Sequence, residues 1–191
     1  MLFRKKEVKE YYENGLLMSE GYYKNDVRVG KHFNYDEKGN ITDEWIFSKT
    51  GERLSFKRYH QNGNLAEDGN YKDDTRSGIW NYYDENGELH SSEEYKYEDI
   101  LGGYDLDQVI RITNYYSDGS IKSKGDDLEM GYHGEWIYYF SNGQIESQGE
   151  YLDGDKHLEW TYYNKDGSLK EILEYERGAI QKTGENGPNE S

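Results

Sequence analysis

Aromatic and aliphatic positions recur at a fixed interval along this chain, with turn-forming residues between them. The interval is marked by Gly15, Gly39, Gly63, Gly87, Gly119, Gly143 and Gly167, spaced 24, 24, 24, 32, 24 and 24 residues apart. A tyrosine stands four residues before each: Tyr11, Tyr35, Tyr59, Tyr83, Tyr115, Tyr139 and Tyr163. Two residues after each stands an aliphatic: Leu17, Ile41, Leu65, Leu89, Ile121, Ile145 and Leu169. Eight residues after, an aromatic follows in every unit but the fifth, which has Asp127. Seven residues before, the side chains are Val8, His32, Phe56, Trp80, Ile112, Trp136 and Trp160. A fixed period of this length identifies a repeat array.

Each unit reads as a β-hairpin. Asn, Asp or Lys precedes every repeat glycine, and Asn-Gly or Asp-Gly between apolar runs is a strong hairpin signal. Strings such as Asp84-Glu85-Asn86-Gly87 fit a type I turn followed by glycine in the left-handed region. A three-residue loop of this kind sets the tyrosine opposite the aliphatic, giving seven cross-strand pairs worth roughly 0.2–1 kcal/mol each. A two-residue loop would slip the pairing by one and exchange the faces. No segment carries a helical i, i+3, i+4, i+7 stripe. The expected fold is all-β: an elongated single antiparallel sheet of about seven consecutive hairpins, solenoid-like, on the order of 65 Å long at roughly 4.8 Å per strand.

Residues 1–178 read as one array without a domain boundary, interrupted by an insertion at about 97–108. The polar stretch 179–191, which carries the only proline, Pro188, is expected to be a disordered tail. Leu, Ile, Val and Phe are so few, 33 of 191 residues, that composition alone would suggest disorder. The 21 tyrosines and four tryptophans reverse that expectation, because they are periodic and each buries roughly 150–250 Å². A thin aromatic core spread along the array follows, with stability approximately additive over repeats.

The formal net charge of −16 argues against nucleic acid or anionic membrane as partner, since both select basic surfaces. It suits solubility or a basic protein. With no cysteine, disulfide and thiol chemistry are excluded. No apolar run has the length of a membrane span, and the charged start of the chain does not resemble a signal peptide, so a cytoplasmic location is expected.

No nucleophile elbow, phosphate loop, dinucleotide fingerprint or zinc-protease motif is present, so no catalytic residue, cofactor or metal is assigned. His133 and His157 occupy equivalent places in successive units, roughly 9–10 Å apart, too far for one zinc ion; they read as surface histidines. The candidate partner-binding residues are Trp80, Tyr82, Trp136, Tyr138, Trp160 and Tyr162, which share one face by the period of two. Such a row serves either as an exposed binding platform or as the packing core of the sheet. The insertion adds Glu98, Asp99, Asp105 and Asp107 as acidic candidates on a long loop.

The units Gly78–Leu89 (GIWNYYDENGEL), Gly134–Ile145 (GEWIYYFSNGQI) and Leu158–Leu169 (LEWTYYNKDGSL) resemble the bacterial variant of the MORN repeat. The resemblance runs from about Glu7 to Gly178 and is degenerate where His32, Phe56 and Ile112 replace tryptophan. It implies consecutive antiparallel hairpins without enzymatic residues. It also implies a role as an antitoxin or immunity component of a toxin system, and the acidic charge of this chain makes a basic toxin the expected partner. The alternatives are a carbohydrate- or envelope-binding module, as in the similar choline- and glucan-binding repeats, or a structural scaffold.

Overall fold

The computed structural model describes residues 4–98, 107–128 and 131–181. Packing divides the chain, which the sequence presents as one array, into two compact units, Met1–Lys96 and Tyr97–Ser191. The first holds β1 (Lys6–Tyr11), β2 (Leu17–Lys24), β3 (Val27–Tyr35), β4 (Ile41–Phe47), β5 (Arg53–Tyr59), β6 (Leu65–Lys72), β7 (Thr75–Tyr83) and β8 (Leu89–Glu98). The second holds β9 (Asp107–Tyr115), β10 (Ile121–Leu128), β11 (Gly131–Tyr139), β12 (Ile145–Leu152), β13 (Asp155–Tyr163), β14 (Leu169–Glu176) and β15 (Ala179–Ile180). Within each unit every strand pairs antiparallel with the next in the chain, in an open sheet of hairpins, and no helix occurs among the described residues.

The repeat glycines turn as their sequence predicts. Gly15 N–H donates to the Tyr12 carbonyl at 2.9 Å and Tyr12 N–H to the Leu16 carbonyl at 2.8 Å, with Gly15 at φ +84°. The same pattern closes the other six loops. Tyr11↔Leu17, Tyr35↔Ile41, Tyr59↔Leu65, Tyr83↔Leu89, Tyr115↔Ile121, Tyr139↔Ile145 and Tyr163↔Leu169 are all directly paired. The pairs do not form the core: Tyr11 and Leu169 remain largely exposed.

Four of the turns between repeats are tighter, while residues 48–52, between β4 and β5, form the glycine loop again. Asn25-Asp26, Asp73-Asp74, Asp153-Gly154 and Arg177-Gly178 all have positive φ at both residues, as two-residue type I′ hairpins require. Successive repeats are also tied at their turns. The Asn14, Asn62 and Asn142 side chains donate to the carbonyls of Glu37, Glu85 and Lys165 in the following turn.

The core lies on one face. Trp80, Trp136 and Trp160 are completely buried, each lying over a glycine of the preceding strand. A Cβ on Gly69, Gly125 or Gly149 would collide with the indoles of Trp80, Trp136 and Trp160 respectively. The strand pairing bends to admit the ring. Gly149 alone faces Leu158, Glu159 and Trp160, because Gln148 pairs with Thr161 and Glu150 with His157. The first bulged residue is left-handed: Gly78 and Gly134 at φ +65° and Leu158 at +57°. Each indole N–H then donates to the carbonyl beside the bulge, at Asn70 (3.0 Å), Asp126 (3.0 Å) and Glu150 (2.9 Å), so none of these three buried indole donors is left unpaired.

One expectation needs correcting. The tail does not begin at 179: Ala179 and Ile180 form β15 against β14, and Gln181 N–H donates to the Glu174 carbonyl at 2.8 Å. A type I′ turn at Arg177-Gly178 carries the chain back onto the sheet, where the polar composition beyond it gave no such signal. Residues 182–191 lie outside the described residues.

Candidate functional site

The three predicted tryptophans do not form a platform. Each is enclosed between the glycine beneath and a side chain above. Arg76 Cζ lies 4.0 Å from the Trp80 ring, Lys156 Nζ 4.1 Å from that of Trp160, and Tyr132 stacks 3.9 Å from Trp136. The covering cations add cation–π attraction. Of the two roles open to this row, core packing is the one the geometry adopts.

Tyr82 in the first unit and Tyr138 and Tyr162 in the second are half-buried, each roofing the core of its own unit. Tyr138 packs against Trp136 at 6.0 Å and Trp160 at 6.1 Å. Its hydroxyl meets that of Tyr151 at 3.1 Å, and the Tyr162 hydroxyl meets that of Tyr175 at 2.9 Å. Burial is the leading cause that pushes the Tyr138 and Tyr82 phenols far above their ordinary range. These are structural tyrosines, held neutral.

In the first unit the same face carries a chain of ion pairs across five strands. Arg58 bonds Asp43 at 3.2 Å and lies 3.6 Å from Glu67. Arg76 bonds Glu67 at 2.6 Å and lies 3.7 Å from Glu93. Glu67 is only 7% exposed, and such a carboxylate is tolerated because it is paired.

The opposite face differs between the units. In the first, Glu20 and Glu44 are paired with lysines. Glu20 takes Lys9 at 3.1 Å and the Tyr35 hydroxyl at 2.7 Å, and Glu44 takes Lys31 at 2.8 Å. The Tyr35 hydrogen bond leads in holding the Glu20 carboxyl below its usual range, while burial and that bond push Tyr35 up to about 12. In the second unit, Glu135 stands directly opposite Glu150, and Glu159 opposite Glu174. All four are exposed. None of the four carboxylates has an ion pair or hydrogen bond among the described residues. Like charges directly opposite each other destabilise a sheet, so this acidic row across β11–β14 breaks a local rule without compensation nearby.

Glu98 and Asp107 lie in the end of β8 and the start of β9; Asp99 and Asp105 lie outside the described residues. His133 and His157 are not simple surface residues: both are half-buried, with Nδ1 sealed from solvent and unpartnered. They pair across strands with Asp126 and Glu150. Among the described residues no three His, Asp or Glu side chains gather as a metal site, and no helix is long and apolar enough to cross a membrane.

Sequence reasoning overlooked the seat glycines. The signal was present: Gly21, Gly69, Gly125 and Gly149 each precede the bulky residue of the next repeat, His32, Trp80, Trp136 and Trp160, by eleven positions.

A family model described as "MORN repeat variant" matches residues 4–25, 54–73, 76–97, 132–153 and 156–177, together more than half of the chain. No curated protein matches the chain. Among solved structures, the crystal structure of TcdB2-TccC3-TEV aligns with 93% of this chain at 13% identity and a TM-score of 0.26. That of TcdB2-TccC3-Cdc42 aligns with 92% at 12% identity and a TM-score of 0.25. The chain covers only 11% and 13% of those chains. A likeness at that level carries no argument.

Proposed function

The chain belongs to the MORN repeat variant family, and from that premise we propose that it is a non-enzymatic protein-binding repeat protein that neutralises a basic partner as an antitoxin or immunity protein does. Repeats of this family suggest a protein-binding role; the basic partner is our own reading. The observation that supports it is the uncompensated acidic row Glu135, Glu150, Glu159 and Glu174. Opposed like charges cost stability when the protein is alone and become attractive when a cationic surface covers them. At a formal charge of −16, long-range attraction would also speed the encounter. The cytoplasmic site of action expected from the sequence belongs to the same proposal. The buried indoles leave a sugar-stacking row on the other face without support.

The test has two stages. Tagged protein is used to capture partners from its source cells, with elution by a salt gradient. Each retained protein is then purified and titrated against the wild type and against Glu150→Lys/Glu174→Lys. The reading expects a basic protein whose affinity falls steeply with salt, falls at least tenfold in the double variant, and whose toxicity in cells is suppressed by co-expression. A partner that is acidic, or indifferent to both salt and charge reversal, would sink it.

A further inference from the structure

The first repeat contains a vacant tyrosine seat. In the repeats around Gly87, Gly143 and Gly167, the residue five before the glycine is a tyrosine: Tyr82, Tyr138 and Tyr162. In the first repeat that residue is Glu10. The frame of the seat is nevertheless kept. Around Tyr138 stand Ser147, Gly149, Tyr151 and Trp160; their equivalents around Glu10 are Ser19, Gly21, Tyr23 and His32, the first three identical in type. His32 lies over Gly21 as Trp160 lies over Gly149, and His32 Nε2 meets the Tyr22 carbonyl at 2.9 Å as the indole meets that of Glu150.

Where the ring is missing there is a cavity of about 70 Å³ bounded by these residues, with Trp45 also in its wall. It shares Glu10, Ser19, Arg28 and Asn34 with an adjoining open cleft of about 490 Å³. The enclosed part is about half of the roughly 150 Å³ cavity that holds a benzene ring, so a phenol ring fits there by reaching into the open cleft. Trp45 is also the one tryptophan of the four that is not fully buried.

The polar end of the seat is provided as well. In two of the three filled seats the tyrosyl hydroxyl is met by a basic residue six positions earlier, Arg76 for Tyr82 and Lys156 for Tyr162 at 2.8 Å, while that of Tyr138 meets Tyr151. The residue six before Glu10 is Arg4, which does not line the cavity; the cation in its wall is Arg28, whose Nε donates to the Tyr23 hydroxyl at 3.2 Å. The Glu10 carboxylate, held by the Ser19 hydroxyl at 2.9 Å, can accept from a phenol as Glu93 accepts from Tyr82 at 2.6 Å.

We infer that this seat receives a tyrosine side chain from a protein partner, the phenol ring lying against Tyr23 and His32 and its hydroxyl at Glu10, on the side lined by Arg28. The inference rests on the protein-binding reading above and adds an anchor point to it. A buried aromatic anchor in a preformed pocket is a common source of binding energy at protein interfaces.

The probe is 4-methylphenol, the tyrosine side chain cut at Cβ, titrated into the full chain and followed by NMR of the His32 and Trp45 rings. Saturable shifts of both rings are expected in the wild type and in Glu10→Gln. They should be lost in Glu10→Tyr, which fills the seat from within and should raise Tm by about 2–4 °C per kcal/mol gained. An absence of shifts in the wild type, or shifts that persist unchanged in Glu10→Tyr, overturns the inference. So does an equal response to methyl glucoside, which would make the seat a sugar site. Binding seen only after Phe3→Ala would mean that the chain's own start fills it, and would also overturn it. Once a partner is purified, Glu10→Tyr should weaken it at least tenfold. Full affinity in that variant with loss in the Glu150→Lys/Glu174→Lys protein would leave the protein-binding reading standing and the tyrosine seat refuted.

Discussion

Gly149→Ala tests the packing argument most directly, because two effects oppose each other there. Gly149 is not left-handed, so a methyl group in a strand should by itself stabilise, by roughly 0.5–1 kcal/mol, through loss of glycine's unfolded-state freedom. Against this, the added Cβ would stand 2.5 Å from Cδ2 and Cγ of Trp160, where carbon atoms prefer about 3.5–4.0 Å. The indole must retreat by about 1 Å or more. Overpacking of this kind costs about 1–3 kcal/mol. Stretching the 2.9 Å bond from Nε1 to the Glu150 carbonyl adds about 1 kcal/mol. The net expectation is a loss of about 1–3.5 kcal/mol. Equilibrium urea unfolding by circular dichroism gives the number, and a cycle with Trp160→Leu gives its cause. The two substitutions should couple by at least about 1 kcal/mol. Gly143→Ala, with no atom within 4 Å of its added Cβ, should be additive with Trp160→Leu. A neutral or stabilising Gly149→Ala, or additivity with Trp160→Leu, refutes the claim that the glycine exists to seat the indole.

Leu158→Gly should stabilise by about 1 kcal/mol, since Leu158 holds φ +57°, where a side chain costs roughly 1–2 kcal/mol, and is 47% exposed; a lower urea midpoint would contradict this. Glu150→Lys should stabilise the free protein by about 0.5–1 kcal/mol by relieving the opposition with Glu135, with the gain shrinking in 1 M salt. Burial lowers the His32 pKa, so the folded state binds its proton less readily than the unfolded one. Stability from this group is therefore complete above the unfolded value of about 6.5 and is lost as pH falls through the depressed folded value. A Tm profile from pH 7.5 to 5 should show the loss in the wild type and not in His32→Phe. The capping carboxylates Asp84 and Asp118, lowered chiefly by the Glu88 amide and the Ser120 hydroxyl, act in a separate window, and their contribution goes only below about pH 4.

The fold was legible because its signals are local. Gly15 and its equivalents demand a left-handed turn, and the turn fixes the register, so all seven tyrosine–aliphatic pairs could be named from spacing alone. The core was harder to read. Trp80, Trp136 and Trp160 are aromatic and periodic whether they line a surface or fill an interior, and only Gly69, Gly125 and Gly149 on neighbouring strands decide between the two. That dependence spans eleven residues and a bulge, beyond the reach of a strict period-two reading. Acidity was legible as a total charge but not as a place. Glu20 and Glu135 look alike in the sequence, yet one faces Lys9 and the other Glu150, and register alone separates them.

The degenerate positions then become informative. The residue six after the repeat glycine is Gly21, Gly69, Gly125 or Gly149 wherever His32 or a tryptophan follows eleven residues later. It is Trp45 where Phe56 follows, and there the two rings pack against each other at 4.3 Å. In the last repeat it is Leu173, where β15 brings no ring to be seated, and Leu173 packs into the core beside Trp160 and Tyr175. Outside the fourth repeat, which has Glu93 there, the same position is thus small when it must receive a neighbour's ring and large when it must fill the space itself. By that logic Leu173→Gly should open the end of the sheet and cost about 2–4 kcal/mol, as other large-to-small core changes do. A cost no larger than that of an exposed leucine would show that the last repeat is not closed by its own side chain.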